Sequence, residues 1–489
     1  MRVLLIALQN TVPGPASPEE QTRWAELGSP MRTARMEEEH VLALARAMRD
    51  GGRLAPMLAC RENSHLHARA LQLNLPVLTV NGASPGNPFN FWHLWRWQRR
   101  HQKLLVQTMG QEAMPLGRSV LRMRPAGSTL LAHAFPLRPP QEHCATGKAF
   151  KAAHRVLCGS LHVMERLNAV APTPACGRPP DRTDRGGKAE AREPDDMGSA
   201  VAKKGDTYGT GGTGGPDSKD RSGSSGMDGK KHAERSAARQ DCGEKSRTLP
   251  LGHDTLTLLA PGMSLDDFSP VAACEKRHPD SSGSGGAESQ RFVFGLADAL
   301  APRSGAQVVM RAMSAIWQRD DLPPWEVRAL GGGPRLAEIL DEAESLGVAS
   351  RLSILNEQHL PDVLSRCHAW IAPGSSPEEL PENLWAGVAA GLPLLCSQSP
   401  LHLERLSLED NKPQSAALLV EENDPQALAK AMIDLMQSAE LRRDLVHGGQ
   451  ALRPHVGLEA FAARACTLYT RWCRQLGWLE PGHDDAPRS

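Results

Sequence analysis

Residues 326–347 read EVRALGGGPRLAEILDEAESLG, a short apolar run, a Gly-Gly-Gly-Pro bend at 331–334 and a stretch with helical spacing. This is one strand–turn–helix unit. The unit recurs on both sides: RFVFGLA (291–297) precedes AQVVMRAMSAIWQR (306–319), and RLSIL (351–355) precedes LPDVLSRC (360–367). AWIAPG (369–374) then precedes NLWAGVAAG (383–391), and LPLLCS (392–397) precedes LHLERL (401–406). Repetition of this kind predicts a parallel sheet wrapped by helices.

The first half shows the same alternation, interrupted. RVLLIAL (2–8) is followed by EEEHVLALARAMRDGG (37–52), where Val41, Leu42, Leu44, Ala45 and Met48 recur at helical spacing and Gly51 and Gly52 end the helix. LAPMLAC, LPVLTV, LLVQTM, TLLAHAF and RVLCGS each read as a strand, as does TLTLLAPG after a long interval. GLEAFAARACTLYTRWCRQLGW (457–478) reads as a C-terminal amphipathic helix.

The interval is compositionally distinct. From Gly177 to Lys245, 69 residues contain no Leu, Ile, Phe or Trp, while 14 are Gly and 27 are charged. Such a segment cannot bury enough apolar surface to offset its chain entropy, so 171–249 is expected to be a disordered low-complexity insertion. HPDSSGSGGAESQ (278–290) has linker composition, within a flexible linker taken as 271–290. The expected organisation is an N-terminal α/β domain over 1–170, completed by 250–270, a second α/β domain over 291–455, and a helix at 456–480 packing back toward the first. Two such domains in tandem face one another across a cleft, with ligands at the carboxyl ends of the strands.

The chain's 489 residues carry 56 basic and 56 acidic side chains, so no global field draws in nucleic acid, and no nucleic-acid partner is expected. Ten cysteines include no CxxC pair and no metal-ligand spacing, and with no secretory leader they read as thiols in a reducing, cytoplasmic setting. No apolar run approaches the roughly 18–20 residues of a membrane span. No metal or cofactor is expected. His65-x-His67 lacks neighbouring ligands and reads as surface.

The chemistry-bearing segments are the 331–334 bend and PGSSPEELPENL (373–384), which opens a helix. Glycines let backbone approach a ligand, and helix-start N–H groups favour phosphate or ribose oxygens; the bland alternative is a plain βα turn. A carboxylate at such a loop can accept sugar hydroxyls while the positive helix end stabilises a leaving diphosphate; the bland alternative is an acidic first turn that only caps its helix.

PGSSPEELPENLWAGVAAGLPLLCS (373–397) resembles the signature of the family 4 glycosyltransferases, group 1 enzymes of the GT-B fold, and GGGPRLAEILDEAESLGVASRLSIL resembles their Gly-x-Gly-Pro segment. LLAPGMSLDDFSP (258–270), FVFGLADALAPRSGAQVVMRAM and EEEHVLALARAM are similar to further parts of that family. The resemblance implies two Rossmann-like domains facing across a cleft and a retaining, metal-independent, hexosyltransferase-like reaction. Its donor would be a nucleotide-diphosphate sugar, and its acceptor an envelope glycan or lipid-linked molecule. It implies Glu378 and His133 as catalytic residues. Gly332, Gly333, Pro334, Arg303, Glu379, Leu380, Asn383 and Leu384 would form the donor site. The match is uneven. The family's second glutamate falls at Ala386, its basic pair falls at Ala299 and Ser304 with only Arg303 adjacent, and Arg35-Met36-Glu37 replaces the usual Gly-Gly loop after the first strand. These losses motivate the alternative of a non-catalytic binding or scaffold protein; sugar-nucleotide epimerisation is a third reading.

One further stretch, Phe91 to Lys103, interleaves three tryptophans with arginine and lysine. It either rests on an anionic leaflet, making the protein peripheral at the inner face of the cell membrane, or packs Trp92 and Trp95 inward and solvates its cations.

Overall fold

In the computed structural model the described residues are 1–8, 18–80, 88–135, 153–170, 256–266, 268, 291–296, 305–330, 335–355, 360–374, 376, 380–408 and 411–480. The segments expected to be a disordered insertion and a flexible linker lie almost wholly outside them.

The first lobe is a seven-stranded parallel sheet in the order β3-β2-β1-β4-β5-β6-β7. Its strands are β1 (Arg2–Ala7), β2 (Ala55–Arg61), β3 (Val77–Val80), β4 (Leu104–Met109), β5 (Thr129–Phe135), β6 (Arg155–Cys158) and β7 (Leu256–Leu258). The intervening helices are α1 (Pro18–Gly51), α2 (His65–Gln72), α3 (Pro88–Gln98), α4 (Gly110–Arg122) and α5 (Leu161–Val170). Every residue of β4 and β6 is buried, as expected of strands covered on both faces.

The second lobe is a six-stranded parallel sheet in the order β10-β9-β8-β11-β12-β13. It comprises β8 (Phe292–Leu296), β9 (Trp325–Leu330), β10 (Leu352–Leu355), β11 (Ala369–Ala372), β12 (Leu394–Ser397) and β13 (Ala417–Val420). Around it lie α6 (Ala306–Ile316), α7 (Leu336–Ser345), α8 (Leu360–Leu364), α9 (Pro381–Ala389), α10 (Pro400–Leu406), α11 (Pro413–Ala416), α12 (Pro425–Gln437) and α13 (Ala439–Val456). The chain ends in α14 (Leu458–Gln475), which packs Phe461, Ala465, Tyr469 and Trp472 against Val41, Leu44, Ala45 and Met48 of α1. Tyr469 donates a buried hydrogen bond to Gln107 Oε1 of β4 (2.5 Å).

Residues 259–266 and 456–458 cross between the lobes side by side. Met263 N–H donates to Val456 O (2.9 Å) and Leu458 N–H to Met263 O (3.0 Å). Gly262 N–H donates to Nε2 of buried His40 (2.8 Å), whose Nδ1 meets Met36 O (2.5 Å), so the ring is neutral with its proton on Nδ1. Two further contacts tie the lobes together. Leu161, just past β6, donates its N–H to both carboxylate oxygens of Glu404 on α10, just past β12 (3.1 Å each). Met36 of α1 is buried against Leu380, the residue that precedes α9.

Two expectations need correction. Arg35-Met36-Glu37 is not the loop after the first strand, because α1 begins at Pro18 and runs through it. The segment from Arg32 to Glu39 consists almost entirely of good helix formers and holds no glycine or proline to stop the helix. Trp92 and Trp95 do not point inward: α3 buries Asn90, Leu94 and Gln98 instead, and the two indoles are 48% and 39% exposed. His65 and His67 are half-buried, His65 Nδ1 meeting Glu38 of α1 (2.9 Å) and His67 Nδ1 accepting from Asn63 N–H (3.2 Å).

Candidate donor site at the sheet switch point

In the second sheet the chain builds outward in one direction from β8 to β10, then crosses over to β11 and continues the other way. The carboxyl ends of β8 and β11 therefore flank the point where the order reverses, and connections leaving them part to opposite faces and open a crevice. β9 lies beside β8, so β9, β8 and β11 are consecutive neighbours with ends about 5 Å apart. The three connections that follow these strands contain 331–334, Arg303 and Glu378 respectively.

Close packing at the described ends of these connections is specific. Gly305, the N-terminal flank of α6, has φ +78, and a Cβ there would stand 2.5 Å from Pro373 O. The β8–α6 and β11–α9 corners thus touch through backbone. Trp370 of β11 is wholly buried between Gly295 of β8 and Gly387 of α9, where an added Cβ would lie 2.6 Å and 2.8 Å from its indole. Its Nε1–H donates to Asn383 O (2.7 Å). Strand and helix are locked in register.

α9 begins with Leu380 in extended conformation and Pro381 at the first helical position, where the missing N–H costs nothing. Its first turn carries Glu382, so the sequence signal for a helix start is met in the structure. From the far side α10 braces this corner. Arg405, 8% exposed, donates to Leu380 O (3.3 Å); Ser397 Oγ donates to Gly374 O (2.6 Å) and contacts His402 Nδ1 (3.0 Å). A buried guanidinium behind the helix start adds positive potential where an anion would sit. Sequence reading missed Ser397, His402 and Arg405. Ser399-Pro400 announces a helix, but nothing in the sequence shows that Arg405 of that helix reaches back to Leu380, or that Ser397 at the end of β12 reaches Gly374.

Of the residues expected to form the site, Glu378, Glu379, Gly332, Gly333, Pro334 and Arg303 lie outside the described residues, as do Ala299 and Ser304. Leu380 has its side chain covered by Met36, leaving its backbone as the available group. Asn383 is buried at 6% exposure, with its carbonyl on Trp370. Leu384 and Ala386 are core residues at 0% exposure in one apolar cluster with Trp385 and Ala389, so position 386 faces hydrocarbon. His133, paired in register with Thr108, is fully buried; its Nδ1 meets Thr108 Oγ1 at 2.6 Å, and burial pushes its pKa down to about 3. It is therefore a neutral imidazole under the first lobe's carboxyl edge. Among the described residues no three His, Cys, Asp or Glu side chains converge as a metal set.

A parallel two-lobed α/β architecture with a crevice at a switch point defines the class: this is the GT-B fold. Residues 279–451 match the family model described as Glycosyl transferases group 1. The chain is similar in structure to Anabaena Alr3699/HepE, solved in complex with UDP, at 11% identity and TM-score 0.57, covering 96% of this chain and 100% of that one. It is also similar to a glycosyltransferase from Rickettsia africae (10% identity, TM-score 0.55, 96% and 98% covered). A third similar structure is the lipopolysaccharide outer core galactosyltransferase WaaB in its apo form (8%, 0.51, 96% and 100%). At these identities the likeness concerns the fold. No curated protein matches the chain.

Proposed function

We propose that this protein transfers a hexosyl group from a nucleotide-diphosphate sugar to a hydroxyl of a glycan or lipid-linked acceptor, with retention and without a metal. The observation that carries this reading is the switch point: the three segments with donor-site chemistry follow three adjacent strands, β9, β8 and β11, at one sheet edge. Support comes from the group 1 domain over 279–451 and from structural neighbours solved with UDP or UDP-glucose.

In this reading the diphosphate lies against the start of α9, where the first-turn amides and the helix dipole favour an anion, reinforced by Arg405 behind and Arg303 from the neighbouring connection. The Glu378 carboxylate accepts hydroxyls of the transferred sugar as positive charge develops at its anomeric carbon. The acceptor hydroxyl enters from the first lobe and attacks on the face from which the diphosphate departs. Its oxygen bonds the anomeric carbon as the bond to the diphosphate breaks, and its proton passes to the departing diphosphate oxygen. His133 has no exposed surface, so its part is to hold Thr108 and the β4–β5 edge as a neutral positioning residue. Closing the lobes expels water that would otherwise hydrolyse the donor.

Purified full-length protein incubated with a panel of sugar nucleotides should release nucleotide diphosphate from one of them. Glu378→Gln should lower that rate by roughly 10²–10³-fold, the usual effect of removing one preorganised polar contact to the transition state. Undiminished turnover in the variant would remove Glu378 from the assignment. Ala386, sunk in the apolar core, favours the scaffold reading, which a complete lack of thermal stabilisation by UDP, GDP and ADP would establish in its place.

A further inference from the structure

The outward face of α3 is chemically unlike the rest of the first lobe. At 100° per residue, Asn90, Leu94 and Gln98 fall on one side and are buried, while Trp92, Trp95, Arg96 and Arg99 fall on the other and are exposed. The Arg96 guanidinium stands 5.5 Å above the Trp92 ring and that of Arg99 stands 4.5 Å above Trp95. Two indoles and two guanidinium groups thus form one continuous patch, extended by exposed Arg100 and Lys103. Nothing anionic balances it in the sequence nearby: residues 63–141 contain nine Arg and Lys but a single acidic residue, Glu112. The patch is also held rigid from beneath. Buried Arg124 donates to the carbonyls of Gln98 (2.8 Å), His101 (2.9 Å) and Gln102 (2.8 Å), fixing the C-terminal end of α3 and the turn that carries Arg99 to Lys103.

An isolated exposed tryptophan is ordinary, but two on the crest of a cationic helix have a specific use. Indoles favour the headgroup level of a bilayer, where the ring is partly dehydrated and its N–H stays wet. Guanidinium groups beside them pair with lipid phosphates, each basic side chain contributing roughly five-fold to partitioning on an anionic surface. No helix among the described residues is long and apolar enough to cross a membrane, and α3 has the composition of a helix that lies on a bilayer surface.

We propose that the outward face of α3 docks the first lobe onto a bilayer surface rich in anionic phospholipid. This deepens the reading above, since it selects the lipid-linked class of acceptor and brings that acceptor to the lobe that would receive it. The test reads binding and not transfer, so it succeeds or fails whether or not the donor chemistry is as described. Full-length protein is co-sedimented with vesicles of equal parts phosphatidylglycerol and phosphatidylcholine, and with phosphatidylcholine alone, at 0.05 and about 0.5 M salt, where screening contracts the field to a few ångströms. The expected result is sedimentation only with the anionic vesicles, released by high salt. A fall of tenfold or more in partitioning is expected for Trp92→Ala/Trp95→Ala and, separately, for Arg96→Gln/Arg99→Gln. Both pairs are exposed, and an unchanged melting temperature verifies that each variant is folded. Equal sedimentation of wild type and both variants, or no sedimentation with anionic vesicles, overturns the proposal. So does retention on single-stranded nucleic acid in place of vesicles, the other partner that stacked aromatics and cations can hold.

Discussion

Trp370 occupies the space that two missing side chains leave. Because the indole already touches the backbone positions of Gly295 and Gly387, an added methyl must displace a ring locked by its hydrogen bond to Asn383 O. Gly387→Ala should therefore destabilise the protein by about 1–3 kcal/mol despite improving helix propensity, and weaken stabilisation by the nucleotide that binds. Gly449 of α13 is the matched control: a Cβ there meets nothing within 4 Å, so Gly449→Ala should be neutral or stabilising by up to about 1 kcal/mol. Denaturant unfolding of the two variants measures the contrast, and equal effects would contradict the packing argument. A second residue-scale expectation concerns acid. Burial lowers the pKa of His40 to about 4 and of His133 to about 3. Between the ordinary value of about 6.5 and these values the unfolded chain binds protons that the native state refuses. Stability conferred by the neutral rings is thus complete above about pH 6.5 and lost as pH falls toward 4, by up to about 1.4 kcal/mol per pH unit for each histidine. A urea midpoint that stays flat between pH 7 and 5 would refute this.

At the scale of elements, α10 is the unexpected participant. It is only seven residues long, yet it faces three ways: Arg405 donates to the carbonyl that opens α9, His402 meets Ser397 at the end of β12, and Glu404 receives the first amide of α5 in the other lobe. Arg405→Ala removes a charged donor from a buried carbonyl and should cost about 1–3 kcal/mol. It should also weaken binding of a nucleotide diphosphate more than Arg405→Lys does, which calorimetric titration can resolve. The elements differ in how much of this was legible. Among the described residues there are thirteen strands, and the strand-like runs of the sequence coincide with twelve of them, because fully buried parallel strands are apolar along their whole length. β13, α12 and α13 were passed over although Asp424 caps α12 and Pro425 opens it, a readable start signal. The orientation of α3 was not legible, since leucine and glutamine on one side and tryptophan and arginine on the other do not say which side meets the sheet.

At the scale of the molecule, the two lobes are joined where Gly262, His40, Gly457 and Phe461 meet. A Cβ on Gly262 would stand 2.8 Å from Gly457 O and 3.0 Å from Leu458 Cα, both backbone atoms that cannot yield without moving a crossing strand. Gly262→Ala should lower the melting temperature and, by setting the lobes at a different angle, reduce transfer to an acceptor more than donor hydrolysis alone. Equal losses in the two rates would mean that the junction serves stability only.

The amino-acid sequence by itself determined the alternation of buried strand and amphipathic helix in two blocks, and the glycine- and glutamate-bearing segments that resemble a sugar-nucleotide site. These are local properties, written in hydrophobic period and turn chemistry. Only the tertiary structure decided that β9, β8 and β11 are adjacent, that Arg405 supports the start of α9, that His133 is sealed beneath the sheet edge, and that the tryptophans of α3 face outward. Each of these depends on contacts between residues distant in the chain, and periodicity along one segment carries no information about which other segment will cover it.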